Sequence, residues 1–334
     1  MAANGNSQPD SARGLCAKEA DDYYAQLEAL IPDSASRGEP EPTNEQIFPT
    51  STRPIVFTPF YGEYGFFVMS YIRSVHYSTA PEKIVCCRPG EEIYFPSASE
   101  FFYEWEHPFE DRVKSGFRDC YSFEAPAFRT PPEINTLDVL KQKYPAAAII
   151  ELLYHIPFRD VHRYPVSLPH KPTATPTLKI VICARRRNCD IPEGDNGLRN
   201  YPYWESIVEV LRSNGLSIAQ IGQEDTSFAL PGLQCRSWEH PNSTEVAIDL
   251  LRKCSLYIGT DTGPTHLAAL LGTPMLLFRN PYEHSYNLIK ECVISVCEAS
   301  QTRYSIVRDG WDKPHSIITT ALQLLAEGKA ALGS

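Results

Sequence analysis

Asp261, Thr262, Gly263, Pro264, Thr265 and His266 follow one another between an apolar run, SLYIG, and a helical pattern, HLAALLG. That order of residue types suits the binding of a phosphate or diphosphate. The first turn of a helix carries backbone N–H groups without partners inside the helix, and the helix dipole adds positive potential there. Gly263 lets the backbone approach an anion closely, and proline suits a first turn because its missing N–H is not needed. The free N–H groups are expected to be those of Thr262, Gly263 and Thr265. The competing reading is a turn without ligand, capped by the side chains of Asp261 and Thr262.

A buried diphosphate must be paired with charge or hydrogen bonds. ARRRN, Arg185 to Asn188, ends the apolar run KIVIC, and strand alternation puts Arg185 and Arg187 on one side and Arg186 on the other. Arg185 and Arg187 are the expected phosphate partners; a solvated basic loop is the alternative. Arg199 and Asn200, in GLRNYPYW, open the next helical pattern and can supplement them. In the other half of the chain, FYGEYGFF sets Glu63 between Gly62 and Gly65. A carboxylate beside glycines reaches a substrate closely and abstracts a proton when partial desolvation raises its pKa. An exposed loop carboxylate is the alternative there. No metal site is expected: neither CxxC nor HExxH spacing occurs, and the adjacent Cys86 and Cys87 point to opposite faces of a strand.

These residues need strands that end beside them and helices that start beside them. PIVFTPF reads as a buried strand, GEYG as a glycine turn, FFVMSYIRSVHYS as an amphipathic helix and KIVCCRP as a second strand, which is one unit of a parallel sheet. AAAIIELLYH adds a strand or buried helix. Four prolines in HRYPVSLPHKPTATPTL mark a linker. Beyond it KIVICARR, LSIAQIG, SLYIGTD and TPMLLFRNP read as strands. They alternate with the helices YPYWESIVEVLRSNG, STEVAIDLLRKC and GPTHLAALLG, and HSIITTALQLLAEGKAAL reads as a terminal helix. The expectation is α/β: a polar arm over 1–50, an N-terminal domain over 51–165, a linker over 166–176, a doubly wound domain over 177–312 and a terminal helix over 313–334. With 31 Lys and Arg against 41 Asp and Glu, the net charge is −10, which argues against a non-specific nucleic-acid binder. The polar N-terminus and the lack of a long apolar run lead us to expect a cytoplasmic protein. The oligomeric state is left open.

The string D-T-G-P-T-H-L-A-A, after a strand and before G-T-P, resembles the nucleotide-sugar motif of glycosyltransferase family 9, the heptosyltransferases and their relatives. The resemblance is specific over 245–281 and looser over the rest of the C-terminal half. It implies the GT-B fold, two Rossmann-like domains facing a cleft, with a nucleoside-diphosphate sugar as donor and an acceptor hydroxyl opposite. It places the donor diphosphate at Asp261, Thr262 and Gly263, with the basic residues at Arg185 and Arg187. His266 either faces the phosphates or packs under the loop. By the same resemblance Gln223 and Glu224 of IGQEDT lie toward the ribose, and Trp238 and Glu239 of RSWEHPNS toward the base; Trp238 either stacks on it or joins the core. The family has a Gly-Asp pair where Gly62 and Glu63 stand, which implies that Glu63 is the general base of an inverting, metal-independent transfer needing no cofactor. Arg88, in CCRPGEE, is a further candidate for acceptor or donor binding. An epimerase or hydrolase of the same architecture, and a nucleotide-binding relative without turnover, are the alternatives.

Overall fold

A computed structural model describes residues 48–60, 64–103, 131–150, 158–169, 178–186, 200–278 and 293–332. Residues 43–334 form one compact unit that contains two parallel sheets. The first has the order β3-β2-β1-β4, with β1 at Ile55–Phe57, β2 at Lys83–Cys86, β3 at Glu100–Phe102 and β4 at Ala148–Ile150. The second has the order β10-β9-β8-β5-β6-β7. Its strands are β5 Ile180–Ile182, β6 Ile218–Gln220, β7 Cys235–Arg236, β8 Leu256–Gly259, β9 Met275–Phe278 and β10 Tyr304–Val307.

The strands β1, β5, β8 and β9 are apolar runs buried throughout, and β2 is so after its buried Lys83, as sheets covered on both faces require. Alternation sorts the side chains. Ile180 and Ile182 of β5 point into a cluster with Trp204, Ile207 and Leu211 of α3 (Trp204–Ser213), whereas Val181 and Cys183 point the other way. Cys86 and Cys87 likewise enter different clusters, Cys86 beside Leu140 of α2 (Pro131–Lys143). The remaining helices are α4 (Ser243–Lys253), α5 (Gly263–Leu270), α6 (Ser295–Ala299) and α7 (Pro314–Leu332). Among the described residues no helix is long and apolar enough to cross a membrane.

Helix α1 follows β1 and begins as Tyr64–Phe66, widens into a π-helical turn over Phe67–Tyr71 and closes as Ile72–Tyr77. A π turn misaligns its carbonyls, and the buried Arg73 collects two of them: Nη1 donates to Val68 and Met69 at 2.8 and 2.9 Å. Its Nε donates to the Tyr164 carbonyl at 2.9 Å. Tyr71 ties the helix to the end of β1 by donating to the Thr58 carbonyl at 2.7 Å. One apolar cluster joins Phe57, Phe67 and Tyr71 of this half to Val181, Tyr257 and Leu267 of the other, so α1 and α5 share a core.

The elements that the residue pattern does not announce include the strands β3 and β10 and the helices α2 and α6. Asn242 precedes the first turn of α4, and its side chain makes no capping bond.

Candidate functional site

In the second sheet the chain leaves β5 toward β6 and β7 on one side, then crosses back to β8, β9 and β10 on the other. The strand order reverses between β5 and β8, and the carboxyl ends of strands at such a switch point are where such sheets bind ligands. Arg185 and Asp261 stand at this point. Arg185 Nη1 donates to the Asp261 carbonyl at 3.4 Å, bridging the two strand ends. The end of β5 is braced from behind: Arg185 pairs with Ser227, and the Arg186 N–H donates to the Thr226 carbonyl at 2.7 Å. Arg185 is half-buried and Arg186 exposed, in keeping with alternation. Arg187 and Arg199 lie outside the described residues, and Asn200 lies half-buried ahead of α3.

The loop between β8 and α5 is built on buried hydroxyls. Tyr257 Oη and Thr265 Oγ1 are 3.0 Å apart, and Thr265 Oγ1 lies 3.1 Å from Thr262 Oγ1 and also donates to the Thr260 carbonyl. Thr262 Oγ1 donates in turn to Cys183 Sγ at 3.7 Å. Burial pushes the Tyr257 phenol and the Cys183 thiol up, so both stay protonated. Tyr257 reaches Thr265 by lying along β8 over Gly259, the next residue on the same face of the strand. A methyl group on Gly259 would fall 2.3 Å from Tyr257 Oη. Gly259→Ala is therefore expected to destabilise the protein by about 1–3 kcal/mol through overpacking, read as a lowered thermal midpoint; an unchanged midpoint would show that the ring has room to move.

This inward turn decides what the helix start offers. Thr262 precedes α5 in extended conformation, and its side chain makes no capping bond. The Thr262 and Gly263 N–H groups donate to no described residue. Thr265 differs from expectation: its N–H donates to the Thr262 carbonyl at 2.9 Å and its hydroxyl is used in the cluster, so it has no free donor for a ligand. His266 is buried, with Nε2 3.5 Å from Asp261 Oδ1 and with Nδ1 lacking a hydrogen-bond partner among the described residues. Two uncapped amides with a guanidinium at the same strand ends are an arrangement that accepts an anion.

The first half of the chain meets this loop directly. A methyl group on Gly263 would fall 2.3 Å from Tyr64 Cδ1, and one on Gly65 would fall 3.1 Å from His266 Cδ2. The start of α1 therefore lies against the start of α5. Tyr64 is hydrogen-bonded to the Tyr94 hydroxyl and stacks on Phe67, with centroids 5.8 Å apart. Gly62 and Glu63, which precede Tyr64 in the chain, lie outside the described residues. Arg88 is half-buried beyond β2, and its N–H donates to Glu91 Oε2 at 3.0 Å.

The residues expected around the nucleoside are set along the adjoining strand ends. Gln223 and Glu224 are exposed after β6, and Glu224–Thr226 forms a single helical turn. Trp238 is half-buried over Gly222, whose added methyl group would meet Trp238 Cζ3 at 3.9 Å. Glu239 pairs with Arg236 at 2.6 Å on the surface. Tyr64 and Tyr257, which touch the loop at Gly263 and Thr265, are residues that the sequence pattern does not single out. Among the described residues no group of three His, Cys, Asp or Glu side chains is placed to hold a metal ion.

The fold is α/β with two parallel sheets, the second carrying an arginine and an open helix start at its switch point. Residues 242–307, from α4 to β10, match the model of glycosyltransferase family 9 (heptosyltransferase), a match over about a fifth of the chain. Among solved structures, Escherichia coli ADP-heptose LPS heptosyltransferase II is 11% identical with a TM-score of 0.47, the match covering 83% of this chain and 99% of that one. E. coli heptosyltransferase WaaC with ADP is 12% identical at a TM-score of 0.44, covering 83% and 99%. A glycosyltransferase family 9 protein from Veillonella parvula is 13% identical at 0.40, covering 85% and 100%. No curated protein matches the chain by sequence.

Proposed function

We propose that the protein transfers a sugar from a nucleoside-diphosphate sugar to an acceptor hydroxyl, with inversion and without a metal ion. The observation that carries this reading is the uncapped start of α5, with Arg185 at 3.4 Å from the Asp261 carbonyl across the switch point. The Thr262 and Gly263 amides, Arg185 and Arg187 receive the diphosphate, and His266 offers its unpaired Nδ1. Gln223 and Glu224 lie toward the ribose, with Trp238 toward the base. Glu63 takes the proton of the acceptor hydroxyl while its oxygen bonds to the anomeric carbon. The bond from that carbon to the diphosphate oxygen breaks, and the diphosphate leaves with the electron pair. Fixed cationic and N–H donors stabilise the leaving charge without reorganising, which is the service a divalent cation gives elsewhere. A cytoplasmic site of action suits Cys86, Cys183, Cys254 and Cys297, which are buried as separate thiols.

The test is calorimetric titration with UDP, GDP, ADP, dTDP and CMP in the presence of a chelator, followed by assay of nucleotide release from the matching nucleotide sugars. One nucleoside diphosphate is expected to bind at micromolar affinity and one donor to turn over. Binding of none would reduce the α5 loop to a turn and remove the reading. Arg185→Ala is expected to raise the dissociation constant of that nucleotide roughly ten- to hundred-fold, the range for a charged hydrogen bond of about 1.5–3 kcal/mol. An unaltered constant would show that Arg185 only braces the strand ends.

A further inference from the structure

Phe48 stands in NEQIFPTST, a stretch that reads as part of a polar arm, yet only 3% of it is exposed. Its ring stacks on Tyr77 in the last turn of α1, with centroids 5.1 Å apart and an interplanar angle of 24°, and meets Tyr164 edge-on at 4.7 Å. Tyr77 and Tyr164 also meet edge-on, at 5.5 Å, so each ring touches the other two in geometries that aromatic pairs favour. Met69 and Val161 complete this small cluster. Both tyrosines are tied down besides. Tyr77 Oη donates to the Pro165 carbonyl at 2.7 Å, and the Tyr164 carbonyl accepts from Arg73 Nε at 2.9 Å. The far end of α1 is thereby fastened to residues 161–165, which lead from the first sheet toward the second, and Phe48 fills the seam between them.

The same cluster grips the π turn of α1. Met69 lies within that turn, its side chain in the cluster and its carbonyl on Arg73 Nη1 at 2.9 Å. A π turn holds more residues than an α turn. Were it to relax into an α turn, the residues ahead of it would swing by about 100°, one residue's share of a turn. Those residues are Tyr64 and Gly65, which lie against Gly263 and His266 at the start of α5. Holding the π turn therefore holds the way the first half of the chain meets the loop after β8. The sheets themselves do not depend on Phe48, which belongs to none of the apolar clusters that cover them.

We propose that Phe48 is a positioning residue: seated among Met69, Tyr77 and Tyr164, it fixes the π turn of α1 and so sets the start of that helix against the start of α5. Its effect on turnover rests on the transferase reading given above. The residue reaches no substrate itself. It acts through α1, whose first residue follows Glu63 in the chain, while the loop after β8 keeps its own brace of buried hydroxyls. Loss of Phe48 is therefore felt in turnover and not in nucleotide affinity.

The experiment combines amide hydrogen exchange, nucleotide titration and the rate of nucleotide release from the donor found by the binding screen, on the full chain and on Phe48→Ala. The variant is expected to exchange about ten-fold faster over residues 64–71, to keep the parent's rates in β5, β8 and β9, and to keep its nucleotide dissociation constant. Its kcat should fall about ten-fold or more at unchanged donor KM, the mark of a misplaced reacting group. Tyr77→Phe, which removes only the bond to the Pro165 carbonyl and empties no space, should show the same pattern at about a few-fold, and it carries the test if the alanine chain does not fold. Parent-like exchange over 64–71 in the folded variants would overturn the assignment, as would faster exchange spread evenly over both sheets or a kcat that follows nucleotide affinity. A parent that releases nucleotide from no donor sinks the transferase reading instead, and the exchange pattern, which needs no donor, still decides whether Phe48 sets α1.

Discussion

Glu63→Gln is expected to leave the affinity for the nucleoside diphosphate unchanged and to lower sugar transfer by roughly two to four orders of magnitude, the range that a positioned proton acceptor contributes. The substitution keeps the size and the hydrogen-bonding edge of the side chain and removes its ability to take a proton. In the proposed reading the donor is held at the other strand ends, by Arg185 and the start of α5, so its binding should not register the change. What brings the two functions together is the contact between halves: Tyr64, the residue after Glu63, packs its ring against Gly263. The check is a pair of measurements on the same preparation, nucleotide titration and initial rate of nucleotide release. Unchanged turnover would remove Glu63 from the reaction. A parallel loss of nucleotide affinity would mean that Glu63 helps to hold the donor.

The C-terminal sheet was legible because its signals are local. Strands buried on both faces read as unbroken apolar runs, and each is followed by a turn and a helix of matching length, so β5, β6, β8 and β9 stand out in the residue pattern. From there the carboxyl ends of β5 and β8 locate Arg185 and Asp261 directly. The elements that the pattern does not announce lack such signals. The strand β3 is three residues at a sheet edge with Glu100 exposed, and β10 is an edge strand only half-buried along most of its length. Helix α2 opens with two prolines and has little apolar contrast between its faces. Thr265 shows the limit for single side chains. A threonine near a helix start is an expected cap or ligand, but here Tyr257 reaches across from β8 and draws its hydroxyl into the core.

The second large effect is expected from a single methyl group. Gly263→Ala places a Cβ 2.3 Å from Tyr64 Cδ1 and 3.0 Å from its Cβ and Cγ, well inside contact distance. The ring has little freedom to withdraw, because Phe67 stacks against it with an interplanar angle of 21° and its hydroxyl is bound to that of Tyr94. The strain must then separate the start of α1 from the start of α5. Two consequences follow at once: the backbone N–H groups of Thr262 and Gly263 lose close access to an anion, and the segment that carries Glu63 shifts relative to the donor. Nucleotide affinity is expected to fall about ten-fold or more and turnover by a hundred-fold or more, since a misplacement of about 1 Å at a reacting centre has that effect. Overpacking adds about 1–3 kcal/mol of destabilisation. The double variant with Tyr64→Ala separates the causes. Removing the ring relieves the clash, so the thermal midpoint should recover while turnover stays low, and the two penalties should not add. A Gly263→Ala protein with the parent's midpoint and turnover would refute the contact as the link between the two halves.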